Sequence, residues 1–279
     1  MMAALGGSVF RAACVQLTSG AEMAANIAAA SRLIRQAHGD GADLVATPEM
    51  TSLMEPRAGA LLDKVHREDL DPALAAFRAL AESLHLWLLI GSLPIAVEDG
   101  MVANRCFLID AAGAIVARYD KIHMFDVDVP DGQTYRESKS YRPGEHAVVA
   151  PTPWGKLGLS ICYDVRFPHL YRALAQAGAQ VLSVPAAFTQ YTGEAHWHVL
   201  LRARAIECGA FVIAPAQTGR HDSGRHTFGH SLIVDPWGRM LADGGTAPGV
   251  AMAEIDLAQV EAARRKIPSL QHDRPFVGP

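Results

Sequence analysis

Residues 156–184 read KLGLSICYDVRFPHLYRALAQAGAQVLSV. Residues 156–161 form a short apolar run of strand length. Pro168 then opens a segment, 168–177, whose apolar residues recur at helical spacing, and 180–184 is apolar again. Strand, helix and strand in that order predict an α/β layered fold, with a helix packed on the face of a sheet.

The same alternation extends outward. Residues 9–17 read as a strand, 22–38 as an Ala-rich helix, and 43–47 as a buried strand stopped by Pro48. Asp71-Pro72 has the form of an N-cap with proline at the first helical position, predicting a helix to about Leu84. Residues 86–90 read as a strand ended by Gly91. Downstream, 194–208 reads as a helix, 211–215 as a strand and 256–266 as a closing helix. Two segments depart from this pattern. Residues 106–110 and 114–119 flank Ala111-Ala112-Gly113, and 231–235 and 239–241 flank Pro236-Trp237-Gly238. Both read as β-hairpins, so the sheets are expected to be mixed. Residues 121–145 form a long polar stretch without clear periodicity, and a loop of that length in a compact domain is usually functional. No fixed-period repeat or linker composition interrupts 1–279, which predicts a single domain with an extended arm over about 267–279.

Composition narrows the functional classes. The chain has 279 residues, of which 50% are hydrophobic and 19% charged, with a formal net charge of −4. That is ample for a buried core, and the mildly acidic balance argues against a general nucleic-acid or membrane-surface binder. Cys14, Cys106, Cys162 and Cys208 are scattered with no C-x-x-C pair, against a disulfide scaffold or zinc ribbon. The opening residues lack a basic region followed by a long apolar one, and the most apolar stretch, 84–97, is too short to span a bilayer. The expectation is a soluble cytoplasmic protein.

In open α/β sheets, ligands gather at the carboxyl ends of strands. Three reactive residues directly follow apolar runs: Glu49, Lys121 and Cys162. If those strand ends meet, a carboxylate, an ammonium and a thiol converge. Such a set supports covalent catalysis. The thiol attacks a carbonyl or nitrile carbon, the carboxylate takes its proton and later activates water, and the ammonium stabilises the oxyanion. Glu137, in the long loop, is a candidate second carboxylate. Taken singly, each of these residue types at a strand end is more often structural.

The motifs carrying these residues are Thr47-Pro48-Glu49-Met50, Tyr119-Asp120-Lys121-Ile122-His123 and Gly158-Leu159-Ser160-Ile161-Cys162-Tyr163-Asp164-Val165-Arg166-Phe167-Pro168. In combination they resemble the nitrilase superfamily of carbon–nitrogen hydrolases along essentially the whole chain. The resemblance implies a Glu49–Lys121–Cys162 catalytic triad with Glu137 as second glutamate. It also implies a four-layer α-β-β-α sandwich with mixed sheets, pairing of helices into homodimers or larger homo-oligomers, and no metal or other cofactor. The stretches 123–130, 195–197, 201–207, 216–221, 229–231 and 234–238 are similar to the amidase branch that includes ω-amidase and deaminated-glutathione amidase. That likeness implies a small carboxylate-bearing amide as substrate. Deaminated glutathione, cleaved to 2-oxoglutarate and cysteinylglycine as metabolite repair, is the leading expectation. 2-Oxoglutaramate and N-carbamoyl compounds are the alternatives. A catalytically idle binding member is the non-enzyme alternative.

The substrate-binding candidates follow from position. The Tyr163 backbone N–H, just after the nucleophile, is a candidate oxyanion donor. Arg166 either pairs with a substrate carboxylate or ties the following helix to Asp164 or Glu137. Phe188 and Thr192, beyond strand 180–184, are expected in the pocket wall, the alternative being a loop packed on itself. His196 and His198, and His226 and His230, have spacings that can ligate metal. No H-E-x-x-H or matching carboxylate set accompanies them, so a zinc site is not expected.

Overall fold

The computed structural model describes residues 8–129 and 134–278. Residues 1–7, which include the opening residues read above as lacking a leader pattern, residues 130–133 of the long loop, and Pro279 of the arm lie outside the described residues. Two sheets stack face to face. The first runs in the order Gly249–Asp256, Val9–Gln16, Leu44–Ala46, Trp87–Ala96, Val102–Ile109, Ile115–Asp120, with Tyr141–Arg142 beside Val102–Ile109. The second runs Met240–Asp243, Leu232–Val234, Phe211–Ala214, Val181–Ser183, Lys156–Leu159, Val148–Pro151. Both are mixed, because both expected hairpins form antiparallel pairs beside parallel strands.

Side-chain alternation explains the layering. Ala12, Cys14, Leu44, Ala46, Leu89, Cys106 and Leu108 point inward, into one core shared with the second sheet. Their neighbours Ala13, Val15, Val45, Leu88, Ile90, Phe107 and Ile109 face the other way, against the helices Met23–Gly39 and Pro72–Leu84. The outer face of the second sheet is covered by Leu170, Tyr171 and Leu174 of helix Pro168–Gln176 and by Trp197, Leu201 and Ala205 of helix Gln190–Cys208. The layer order is therefore α-β-β-α. Each fully buried aliphatic or aromatic side chain contributes roughly 1.5–3 kcal/mol. Asp71 caps its helix as expected, accepting the Leu74 N–H at 2.8 Å, a contact worth about 1 kcal/mol.

Several boundaries differ from the sequence reading. Gly91 does not end its strand, which continues to Ala96 with a register shift between Ile90 and Leu93. A Cβ at Gly91 would lie 2.0 Å from the Thr47 carbonyl oxygen and 2.5 Å from Pro185 Cβ. The glycine marks a close approach of two backbones, not a chain break. Helix Gln190–Cys208 starts four residues earlier than expected, capped by Thr189. Asp256 ends the unanticipated strand Gly249–Asp256, and the last helix begins at Ala258. The arm beyond Lys266 carries no helix or strand among the described residues and is tied down by Arg172, whose Nε donates to Asp273 at 2.8 Å. No described helix is long and apolar enough to cross a membrane.

Candidate active site

Glu49 and Lys121 follow strands Leu44–Ala46 and Ile115–Asp120 of the first sheet, whereas Cys162 follows Lys156–Leu159 of the second. The three do not share one sheet edge. They meet because the two sheets are stacked with their chemistry-bearing ends together. Lys121 Nζ donates to Glu49 Oε1 at 3.0 Å and to Glu137 Oε2 at 2.8 Å. The Cys162 thiol lies close enough to the Glu49 carboxylate for each to act on the other's ionisation. The second sheet holds Glu49 directly, since the Ala187 N–H donates to Glu49 Oε2 at 2.8 Å.

Asp164 joins the two halves. Its fully buried carboxylate accepts the Tyr119 hydroxyl at 2.6 Å, the His123 N–H at 3.1 Å and the Ile161 N–H at 2.9 Å. It thereby fixes the lysine-bearing loop to the turn that presents the cysteine. Cys162 itself sits at φ 49°, the left-handed region that a non-glycine residue rarely occupies. Its N–H donates to the Pro185 carbonyl at 2.9 Å, so the backbone is held in place while the side chain turns into the cavity. Strain of this kind persists only where surrounding contacts impose it.

Electrostatics assign the resting charges. Burial opposes ionisation of Glu49, but the Lys121 ammonium, the Cys162 thiol and the hydrogen bond from Lys121 keep its pKa below the ordinary carboxylate value. Burial likewise opposes the Lys121 charge, and Glu137 and Glu49 overcome it, holding the ammonium well above its usual pKa. The Cys162 thiol is pushed well up by burial and then by Glu49, with Lys121 partly compensating. The resting set is thus a neutral thiol on a carboxylate, beside an ammonium shared by two carboxylates. Burial lifts the thiols of Cys14 and Cys208 to about 12. Neither lines the Cys162 cavity.

The cavity has a volume of about 560 Å³, within the range that encloses a small organic ligand. Glu49, Lys121, Glu137, Cys162, Tyr163, Phe188 and Thr192 all line it. Arg166 does not. Its guanidinium packs over the rings of Phe188, at 5.2 Å, and Tyr163, at 5.9 Å, and approaches His196 Nδ1 at 3.3 Å. It forms no ion pair with Asp164 or Glu137, so the expected tie of the helix to those residues gives way to packing behind the pocket wall, where its charge still reaches Cys162. Helix Gln190–Cys208 brings Thr192 to the wall one turn after its cap.

Two residues of the site were not anticipated. Asn104 lies near the start of an antiparallel strand, so its chain direction hides its place at the same edge. Its Nδ2 donates to Glu49 Oε1 at 2.9 Å and to Glu137 Oε1 at 3.2 Å, while its backbone oxygen accepts the Lys121 N–H. Arg225 also lines the cavity, from a turn far along the chain. The only sequence signal for Asn104 is a polar residue inside an apolar strand. Arg225 gives none. The histidine pairs nearest in sequence do not come together as ligands. His198 and His230 meet Asp243 instead, with His230 Nδ1 2.9 Å and His198 Nε2 3.3 Å from its carboxylate.

A neutral thiol, its carboxylate partner and an ammonium shared by two carboxylates, set between two sheets in an α-β-β-α sandwich, define an amide-hydrolysing enzyme. The chain belongs to the carbon-nitrogen hydrolase family, whose model matches residues 11–265. It is 46% identical over 274 residues to the deaminated glutathione amidase of Synechocystis sp., covering 96% of this chain and 99% of that protein. The crystal structure of the C. elegans NitFhit protein superposes with a TM-score of 0.89 at 36% identity, covering 96% of this chain and 66% of that longer one. An amidase variant from Nesterenkonia sp. AN1 matches with a TM-score of 0.80 at 27% identity, covering 95% of this chain and 94% of that one. Its structure shows covalent addition of the acetamide moiety of fluoroacetamide at the active site cysteine.

Proposed function

We propose that this chain hydrolyses deaminated glutathione to 2-oxoglutarate and cysteinylglycine through a thioester on Cys162. The observation that carries the chemistry is the neutral Cys162 thiol on the ionised Glu49, with Lys121 alongside. The likeness to the Synechocystis amidase carries the substrate. The Cys162 sulfur attacks the amide carbonyl as its proton passes to Glu49. Lys121 turns one N–H from Glu137 toward the developing oxyanion, and the Tyr163 backbone N–H joins it. Glu49 delivers the proton to the leaving nitrogen as the C–N bond breaks, which frees cysteinylglycine. Water then adds to the thioester with Glu49 as base, the C–S bond breaks, and the thiol regains its proton. Glu137 keeps Lys121 charged and aimed. Tyr163, Phe188 and Thr192 shape the wall around the substrate.

A cytoplasmic homodimer is part of this reading. Exposed apolar side chains at Val199, Ile206, Trp237 and Met240 support the pairing, and four free cysteines suit a reducing compartment.

The test follows cysteinylglycine and ammonia release separately, from deaminated glutathione and 2-oxoglutaramate, with the chain and with Cys162→Ala. Faster cysteinylglycine release, abolished in the variant, is expected. Faster ammonia release would move the assignment to ω-amidase, and turnover by the variant would overturn the covalent route.

A further inference from the structure

His198 lies in helix Gln190–Cys208, His230 shortly before strand Leu232–Val234, and Asp243 at the end of the edge strand Met240–Asp243. One ligand-capable atom of each lies within 4.8 Å of the other two. Both imidazoles converge on one carboxylate oxygen: Asp243 Oδ2 is 3.3 Å from His198 Nε2 and 3.1 Å from His230 Nδ1. None of the three lines the Cys162 cavity, and the amide chemistry uses none of them. The carboxylate that the histidine spacing lacks in the sequence is supplied by folding.

The separations suit a metal ion. Zinc held by nitrogen and oxygen ligands at about 2.0–2.1 Å in a tetrahedron keeps those ligands roughly 3.4 Å apart. The two nitrogen–oxygen separations, 3.3 and 3.1 Å, already approach that edge, so it is the two imidazoles that have to draw together. Two of the three groups are held in place. The His230 N–H donates to the Gly245 carbonyl at 2.7 Å, its carbonyl accepts Trp197 Nε1 at 2.8 Å, and its ring stacks on Phe228 at 4.5 Å. The Gly245 N–H donates to Asp243 Oδ1 at 2.8 Å, which leaves Oδ2 turned to both rings. His198 is partly exposed on its helix, with room to adjust, and the open side admits water as a fourth ligand. Two imidazoles and one carboxylate suit zinc and its transition-metal neighbours, whereas Mg²⁺ and Ca²⁺ prefer oxygen ligands throughout.

We propose that His198, His230 and Asp243 form a binding site for a divalent transition ion of the zinc type, separate from the Cys162 centre. This site is independent of the amidase reading. The ion ties helix Gln190–Cys208, which brings Thr192 to the cavity wall, to the edge strand of the second sheet. It adds a cross-link beside the hydrogen bond from Arg202 Nε to the Gly238 carbonyl at 2.8 Å. Its effect is on stability, not on a step of turnover.

The test titrates the full chain, stripped with a chelator, with Zn²⁺ alone against a chromophoric zinc indicator. A thiolate at Cys162 also takes zinc, so the titration is repeated in Cys162→Ala. One ion per chain is expected in both, with a Kd on the order of micromolar or tighter and no displacement by excess Mg²⁺. His198→Ala and Asp243→Asn should each weaken binding at least about 10-fold, whereas His196→Ala, two residues from His198, should not. Co²⁺ in place of zinc should show the visible bands of nitrogen and oxygen coordination without a thiolate charge-transfer band. At 100-fold excess over Kd the ion should raise the Tm by about 5 °C, and both ligand variants should lose that rise. The absence of a saturable site would overturn the proposal and leave a hydrogen-bonded cluster only. Equal affinities in the ligand variants, or binding that disappears in Cys162→Ala, would overturn it too.

Discussion

Replacing Asn104 with leucine tests how the two carboxylates are held. The substitution keeps the number and branching of the side-chain heavy atoms and removes the Nδ2 contacts to Glu49 at 2.9 Å and to Glu137 at 3.2 Å. A hydrogen bond to a charged group contributes about 1.5–3 kcal/mol. The lower figure, applied to the shorter contact, corresponds to about one pKa unit at Glu49. The sign is upward, because the lost donor favoured the charged form. Glu49 retains Lys121 and the Ala187 N–H, and Glu137 retains Lys121 and the Phe125 N–H, so neither carboxylate is orphaned. Asn104 Oδ1 is buried without a partner, so leucine also removes an unsatisfied acceptor. Stability should therefore change little, while the acid limb of the kcat/KM profile moves up by about one unit. The rate at neutral pH should fall about 10-fold as Glu49 and Lys121 lose alignment. The assay is amide hydrolysis from pH 4 to 9, alongside thermal unfolding. An unmoved acid limb with an unchanged rate would refute the reasoning and reduce Asn104 to a packing residue.

Glu137→Gln leaves Lys121 with one carboxylate partner. Turnover should drop at least 100-fold with little loss of stability, and an unchanged rate would reduce Glu137 to a loop residue. Gly91→Ala forces a methyl group into the Thr47 and Pro48 carbonyls and the Pro185 ring. Denaturant unfolding should show a loss of at least about 3 kcal/mol, and a wild-type midpoint would mean that the two backbones move apart freely. Glu55, held first by its hydrogen bond from Arg57, has a pKa lowered from 4.5 to about 2. A depressed carboxylate contributes stability above its unfolded pKa and loses it as pH falls through the folded one. The stability gap between the chain and Glu55→Gln should therefore close between about pH 4.5 and 2, and a gap independent of pH would show that ionisation of Glu55 is not the cause.

The element pattern was legible where one residue carries a local rule. Asp71-Pro72 starts a helix because the cap and the fixed proline φ act within one turn. The hairpins around Gly113 and Gly238 are local too, with both glycines at positive φ. The strand Gly249–Asp256 was not legible. It buries little besides Ala251 and Ile255, so its pattern is weak, and it is held by pairing with Val9–Gln16 at the far end of the chain. Gly91 misled for a related reason. Its requirement comes from the Thr47–Pro48 backbone and Pro185 packed against it, which no local window contains.

By itself the sequence determined the layered α/β class and the identities of the carboxylate, ammonium and thiol, because motif and periodicity are written in consecutive residues. Tertiary structure alone decided that these groups come from two facing sheets. It also decided that Asn104 clasps both carboxylates, that Arg166 backs the wall and that Arg225 faces the cavity. Those outcomes depend on strand direction and sheet stacking, which bring together residues such as Asn104, Ala187 and Arg225 that share no local pattern.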